Sequence, residues 1–267
     1  MTFDLDALYP AYSTILCDIW GVVHDGVALI PGAADRLSRW MGEGRTVILI
    51  TNAPRTAATV RGQLDVLGLS RGAYRAITTG GEAGINALRK LGQPVGLIGT
   101  WSDRFDLEEA GLTIAEAGFS DLACTGLDEQ RDTVADYVEQ LQRLAAEGVT
   151  LHCLNPDRVV MVGQSTEICA GALADAFEAL GGHACWYGKP YPAIYDHALG
   201  LAGDPPRASV LAIGDGLVTD VLGAARNGLA CLYVTGGISR GAGLPAGFAD
   251  EHGLGDWHPV GVVPTIG

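Results

Sequence analysis

The chain has 267 residues, 48% of them hydrophobic and 18% charged, and carries a formal net charge of −14. That composition supplies a sizeable core and argues against disorder, while the negative field disfavours nucleic acid and anionic membrane surfaces as partners. No apolar run approaches the roughly 20 residues of a membrane span, and the acidic opening MTFDLDALYP lacks the basic-then-apolar order of a secretory leader.

Short apolar runs then alternate with amphipathic stretches. Residues 14–19 read as a strand carrying Asp18 near its end, and 32–42 as the first helix. Residues 46–50 form a second apolar run, followed at once by Thr51 and Asn52, and 56–68 read as a helix. The pattern repeats with a strand at 76–79, a helix at 82–92, a strand at 95–99, a helix at 131–148, a strand at 150–154 and a helix at 166–181. It closes with Lys189-Pro190 ahead of a helix at 191–202, then a strand at 209–213 followed by Gly214-Asp215-Gly216. A helix at 220–228 and a strand at 230–235 complete it. Several helices end on glycine, the usual left-handed stop. Apolar runs separated by helices predict an α/β fold around a parallel sheet with right-handed crossovers. From Gly236 onward the Gly- and Pro-containing tail predicts no clear element.

In such sheets ligands gather at the carboxyl ends of the strands. There the chain places Asp18, Thr51 with Asn52, Lys189, and the pair Asp215 and Asp220. Ionised groups are costly to assemble unless they serve one another or a bound ion. A strand-end carboxylate such as Asp18 has the chemistry to attack a phosphoryl group and form an aspartyl-phosphate. Such transfer relies on positioning and charge neutralisation. Magnesium, held by one or two carboxylates, carbonyls, waters and a substrate oxygen, suits that task. Gly214-x-Gly216 ahead of a helix mimics a dinucleotide fingerprint, but Thr219 stands in the third glycine's place and Asp215 would repel a pyrophosphate. The six cysteines are scattered without a C-x-x-C pair, which disfavours zinc ribbons and thioredoxin-like motifs and reads as small buried hydrophobes in a reducing cytosol.

Taken in order, these motifs resemble the haloacid dehalogenase (HAD) superfamily, and within it the class IIA, NagD-like hydrolases. The carriers are D-x-x-G-V from Asp18, I-P-G-A at Ile30, and T-N-x-x-R with Thr51, Asn52 and Arg55. Asn155-Pro156-Asp157, Y-G-K-P from Tyr187, and G-D-x-x-x-T-D from Gly214 to Asp220 complete the set. The resemblance implies a Rossmann-like parallel-sheet core over residues 1–78 and 186–267, with an inserted α/β cap domain (C2-type) over 79–185. It implies Asp18 as nucleophile, Thr51 and Asn52 as phosphate contacts, and Lys189 as a bridge between nucleophile and phosphate. Mg2+ would sit on Asp18, Asp215 and the backbone carbonyl of Trp20, with Asp220 orienting the site or its waters. Asn155 reads either as a substrate contact or as part of a turn, and Arg55 as a surface or helix-start residue rather than a phosphate clamp. The remaining histidines, His152 among them, show no metal-ligand spacing.

Trp20 departs from the resemblance. The family usually carries there a second aspartate, which protonates the leaving group and later activates water. General acid–base help is worth roughly 10²–10⁴-fold, so its loss predicts slow turnover of poor leaving groups. His24 and Asp25 in the following loop are the nearby groups able to substitute, and both also fit a polar turn ending at Gly26. The expectation is therefore a cytoplasmic, magnesium-dependent phosphatase acting on a small phosphorylated substrate, a sugar phosphate, nucleotide or similar compound, as monomer or homodimer. The alternative is a catalytically weak or inactive relative that binds a phosphorylated ligand. A carbon-centre hydrolase is disfavoured by the pairing of Asp18 with Asp215.

Overall fold

Thr14–Asp18 forms the first strand because its side chains have no exposed face: all five residues are buried. The same pressure acts on Thr46–Thr51 and Val210–Gly214, and buried runs of this kind belong in parallel sheets covered on both faces. The computed structural model describes residues 5–8, 11–162, 165–238 and 241–267. Its strands, in chain order, are β1 (Thr14–Asp18), β2 (Thr46–Thr51), β3 (Ala76–Thr79), β4 (Gly96–Ile98), β5 (Asp121–Cys124), β6 (Thr150–Cys153), β7 (Val159–Val162), β8 (Ser165–Ile168), β9 (His183–Trp186), β10 (Val210–Gly214), β11 (Ala230–Val234) and β12 (Gly261–Val263). The N-terminal reading and the tail reading fall in part on residues 1–4, 9–10 and 239–240, outside the described residues. No described helix is long and apolar enough to cross a membrane.

The chain divides into two units. The first holds the described residues through Thr51, with Arg61–Thr78 and Tyr195–Gly267. Its six-stranded sheet runs β12-β11-β10-β1-β2-β3. β1 pairs in parallel with both β10 and β2, and β11 pairs in parallel with β10 and β12. β1 therefore sits inside the sheet, and the order of the chain reverses around it. In doubly wound sheets this is where ligands bind.

The second unit holds Asn52–Val60 and Thr79–Ile194. Its sheet, β4-β5-β6-β9, is parallel throughout, and β7 and β8 make a separate antiparallel pair. Alternation along β5 explains the layering. Leu122 and Cys124 join Leu141 and Leu144 of helix Val138–Ala146 and Leu173 and Phe177 of helix Ala170–Ala179. Ala123 faces the other way, toward Ile85 and Leu88 of helix Gly80–Leu91 and Leu107 of helix Trp101–Glu109. Both helices on that face start on a threonine cap: Thr79 accepts from the Glu82 amide, and Thr100 forms a capping box with Asp103.

The main segment of the second unit begins at Thr79 and runs past residue 186. The second unit continues to Ile194 and also takes Asn52–Val60, because hydrogen bonds tie these segments to it. Lys189 N donates to Asn52 Oδ1 (2.6 Å), Thr79 Oγ1 to Arg55 O (2.6 Å), and Ala57 N to Glu82 Oε2 (3.1 Å). Two expectations change. The helix expected over 166–181 starts at Ala170, since Ser165–Ile168 pairs with β7. The tail is not featureless: helix Phe248–Glu251 precedes β12, which extends the first sheet beside β11.

His152, unremarkable in sequence, is buried in β6 and doubly engaged. Its Nε2 hydrogen-bonds to Asp121 Oδ1 (2.8 Å) and its Nδ1 to the Tyr187 hydroxyl (3.0 Å). Burial pushes the Tyr187 phenol up to about 12. His152→Phe strips both partners of a buried hydrogen bond, at an expected cost of about 2–4 kcal/mol. Urea unfolding measures it, and a midpoint equal to wild type would show that the network adds nothing to stability.

Candidate active site

The register of the first sheet assembles three acids. Cys17 pairs with Ile213, so Asp18 stands at the level of Gly214, and Asp215 follows at the next step. Asp220 returns through a π-helical turn, Leu217–Val221, closed by Asp220 N and Val221 N donating to Gly216 O (2.8 and 3.0 Å). Asp18, Asp215 and Asp220 are all buried, and one carboxylate oxygen from each lies within 4.8 Å of the others. Like charges at such separations repel by on the order of 3 kcal/mol per pair at an effective dielectric near 20.

The surrounding backbone is shaped around these carboxylates. Asp215 Oδ2 accepts from Ile238 N (2.6 Å). A methyl on either Gly21 or Gly237 would overlap the Asp215 carboxylate, so both backbones approach where a side chain cannot fit. Asp220 Oδ2 accepts from Gly216 N and Thr219 Oγ1, each at 3.1 Å. Three buried carboxylates, all hard oxygen donors, fit a divalent cation of the magnesium or calcium type.

Thr51 closes β2 one residue beyond Ile50, the register partner of Asp18, and is buried. The other expected phosphate-site residues belong to the second unit, where Asn52, Asn155 and Lys189 are all buried. The Asn52 side chain is committed to the Lys189 segment: Oδ1 accepts from Lys189 N, while Nδ2 donates to Lys189 O (3.2 Å) and Asp157 Oδ1 (2.9 Å). Both amide hydrogens are engaged in this arrangement, and the side chain holds the Lys189 segment. Asn155 Oδ1 accepts from Asp157 N (3.1 Å), the hydrogen bond of an Asx turn, which supports its turn reading. Asp157, missed as a participant by sequence reasoning, links that turn to Asn52. The N-P-D triplet was its only signal. Arg55 lies near Asp103 (3.9 Å) and Asp106 (3.8 Å) with its side chain a third exposed, in line with a surface role.

The loop after Asp18 is a tight turn. His24 Nδ1 accepts from Gly26 N (2.9 Å), and burial holds its imidazole below the usual range. Asp25 Oδ1 accepts from Val27 N and Ala28 N (2.9 Å each), and these backbone donors lower its carboxyl. The Trp20 indole lies edge-on to His24 at 5.1 Å and covers Gly26. His24 and Asp25 both serve the turn.

A parallel α/β sheet whose central strand ends in one member of a buried acid trio, together with a second α/β unit, defines a hydrolase architecture. Residues 15–113 match the family signature described as haloacid dehalogenase-like hydrolase, and residues 186–260 match a HAD-hydrolase-like signature. The crystal structure of a haloacid dehalogenase-like hydrolase from Brucella suis 1330 is 32% identical, with 99% of each chain covered and a TM-score of 0.85. Ribonucleotide monophosphatase NagD of Escherichia coli (strain K12) is 29% identical over 228 residues, 84% of this chain and 88% of that protein. Chronophin of Homo sapiens is 27% identical over 248 residues, 85% of this chain and 82% of that protein. The chain belongs to the haloacid dehalogenase-like hydrolases, in their NagD-like branch, and is an enzyme of the phosphatase type.

Proposed function

We propose that this enzyme is a magnesium-dependent phosphatase that hydrolyses a small phosphomonoester, a sugar phosphate, nucleotide or similar compound, through an aspartyl-phosphate on Asp18. The observation that carries the reading is the buried trio Asp18, Asp215 and Asp220 at the strand ends of one sheet. Asp18 attacks phosphorus, and the leaving oxygen keeps the bonding electron pair. Water then cleaves the acyl phosphate and returns the Asp18 carboxylate. Asp18, Asp215 and the Trp20 carbonyl would hold the magnesium ion, which when bound supplies charge neutralisation for the phosphoryl group. Asp220 orients the cluster through Gly216 N and Thr219 Oγ1. Thr51 donates to a phosphate oxygen. Lys189 supplies the cation that offsets phosphate and carboxylate charge, on a segment fixed by Asn52 and Asp157.

The second unit is proposed to act as the inserted cap, selecting the substrate. We place the enzyme in the cytoplasm, where its free cysteines remain reduced, as a monomer or homodimer. The alternative, a weakly active or inactive relative that binds a phosphorylated ligand, is favoured by one observation: Trp20 brings no carboxylate.

The test is p-nitrophenyl phosphate hydrolysis with magnesium and with chelator. The expected result is release in magnesium that chelator lowers by at least about 100-fold and magnesium restores. Absence of release, with magnesium and phosphate still bound, would establish the binding-protein alternative.

A further inference from the structure

The edge strand β12 reaches the acid cluster through a run of four residues. Val263 of β12 stands in register with Val234 of β11. Thr235, the next residue, stays fixed to that strand: its amide and its hydroxyl both donate to Val263 O (2.8 and 3.3 Å). Thr235 is buried, and its own carbonyl accepts from Gly241 N (2.6 Å). The chain then leaves the sheet. A methyl on Gly236 would overlap Pro264 O, and a methyl on Gly237 would overlap the Asp215 carboxylate. One residue further, Ile238 N donates to Asp215 Oδ2 (2.6 Å). Residues 235–238 are thus gripped at one end by residues 263–264 and close on Asp215 at the other.

The grip is itself anchored. Ile266 is fully buried, and its carbonyl accepts from Arg36 Nε (3.2 Å) on helix Ala33–Gly42. A paired strand on one side of Pro264 and a buried side chain on the other leave the Pro264 carbonyl little freedom to yield. Gly236 lies outside the left-handed region, so this contact, and not its backbone conformation, is what calls for glycine there. A side chain at Gly236 would therefore push residues 236–238 off Pro264, and the shift would carry the Ile238 amide and the Gly237 backbone with it.

We infer that Thr235 and Gly236 are positioning residues for Asp215. Through them β12 sets where the Ile238 amide meets the carboxylate, and so tunes the affinity of the acid cluster for a divalent cation. The inference rests on the metal-dependent reading above and extends it to a strand that carries no acid of its own. Groups that hydrogen-bond a metal ligand from behind fix its orientation, and losing one costs about 10–100-fold in metal affinity.

The experiment is calorimetric titration of magnesium into wild type, Gly236→Ala, Thr235→Val, Thr235→Ser and Gly243→Ala, with thermal melting in chelator. Gly236→Ala is expected to weaken magnesium binding by about 10–100-fold. Thr235→Val loses the hydroxyl bond to Val263 O but keeps the amide bond, and should weaken it by about threefold. Thr235→Ser keeps both bonds and should bind as wild type does. Gly243→Ala, where an added Cβ meets no atom within 4 Å among the described residues, should leave affinity unchanged. A purely structural role would lower the melting temperature and leave the affinity of the folded protein alone. If Gly236→Ala does not fold, Thr235→Val against Thr235→Ser decides. Magnesium affinity within about twofold of wild type in folded Gly236→Ala and Thr235→Val, less than the loss of one such bond would cause, overturns the inference and leaves the metal reading standing. So does an equal loss in Gly243→Ala. Absence of magnesium binding by wild type overturns both.

Discussion

Asp18→Asn is expected to lower phosphate release by more than about 10⁴-fold, the scale on which enzymes lose turnover when a nucleophile is removed. A carboxamide has nearly the size of a carboxylate but no nucleophilic oxygen, so the end of β1 keeps its buried packing while the chemistry stops. The same substitution removes one of three mutually repelling buried charges. In chelator the variant should therefore be more stable than wild type, by about 1–3 kcal/mol. In magnesium the order should reverse or level, because the variant offers the cation one carboxylate fewer. Phosphate release and thermal melting in magnesium and in chelator measure both halves. A variant keeping a tenth of wild-type turnover would remove Asp18 from the nucleophile's role. Equal stability in chelator would mean that the three acids do not strain one another.

The acids were readable from sequence because each follows an apolar run, and in a parallel sheet such runs end at the edge where chemistry is built. Asp18, Thr51 and Asp215 announce themselves by being the first polar residues after buried strands. The strands that escaped are all three or four residues long, as are β3, β4 and β6, which were legible, and helix Trp101–Glu109 escaped with them. In β5, β7, β8, β9 and β12 so few residues carry little periodicity of either kind, and Ser165–Ile168 reads equally well as the start of a helix. Partnerships over long sequence separations escaped for a different reason. Asn52 meets Lys189 and Asp157, and His152 meets Asp121 and Tyr187, only because strands bring distant segments together. Single-residue reading assigns such groups a role by chemical type, and so it does not see that the Asn52 side chain is tied to Lys189 and Asp157. Trp20 shows the same limit. Its letter announces that a carboxylate is missing, but not that the ring covers Gly26 and packs against His24.

Gly21→Ala should disable the site with no change to any acid. Gly21 has φ of 82°, in the left-handed region, where a Cβ costs about 1–2 kcal/mol. The added methyl would also overlap the Asp215 carboxylate, and that carboxylate has little room to retreat. Its Oδ2 is bonded to Ile238 N at 2.6 Å, and the Gly237 backbone crowds the same oxygen. Either the loop carrying Trp20 lifts away from Asp215, or Asp215 rotates out of the trio. Both outcomes separate groups that must converge to hold a cation. The expected result is a loss of about 10²-fold or more in turnover, since misplacement of a catalytic group by about 1 Å costs that much, with a matching weakening of magnesium affinity and a stability loss of about 1–3 kcal/mol. Calorimetric titration of magnesium separates the two contributions. If magnesium affinity is unchanged while stability falls, the glycine serves only the backbone turn. If affinity falls with turnover, the close approach of this loop to Asp215 is what shapes the metal site, and the glycine belongs to the site as surely as the carboxylates do.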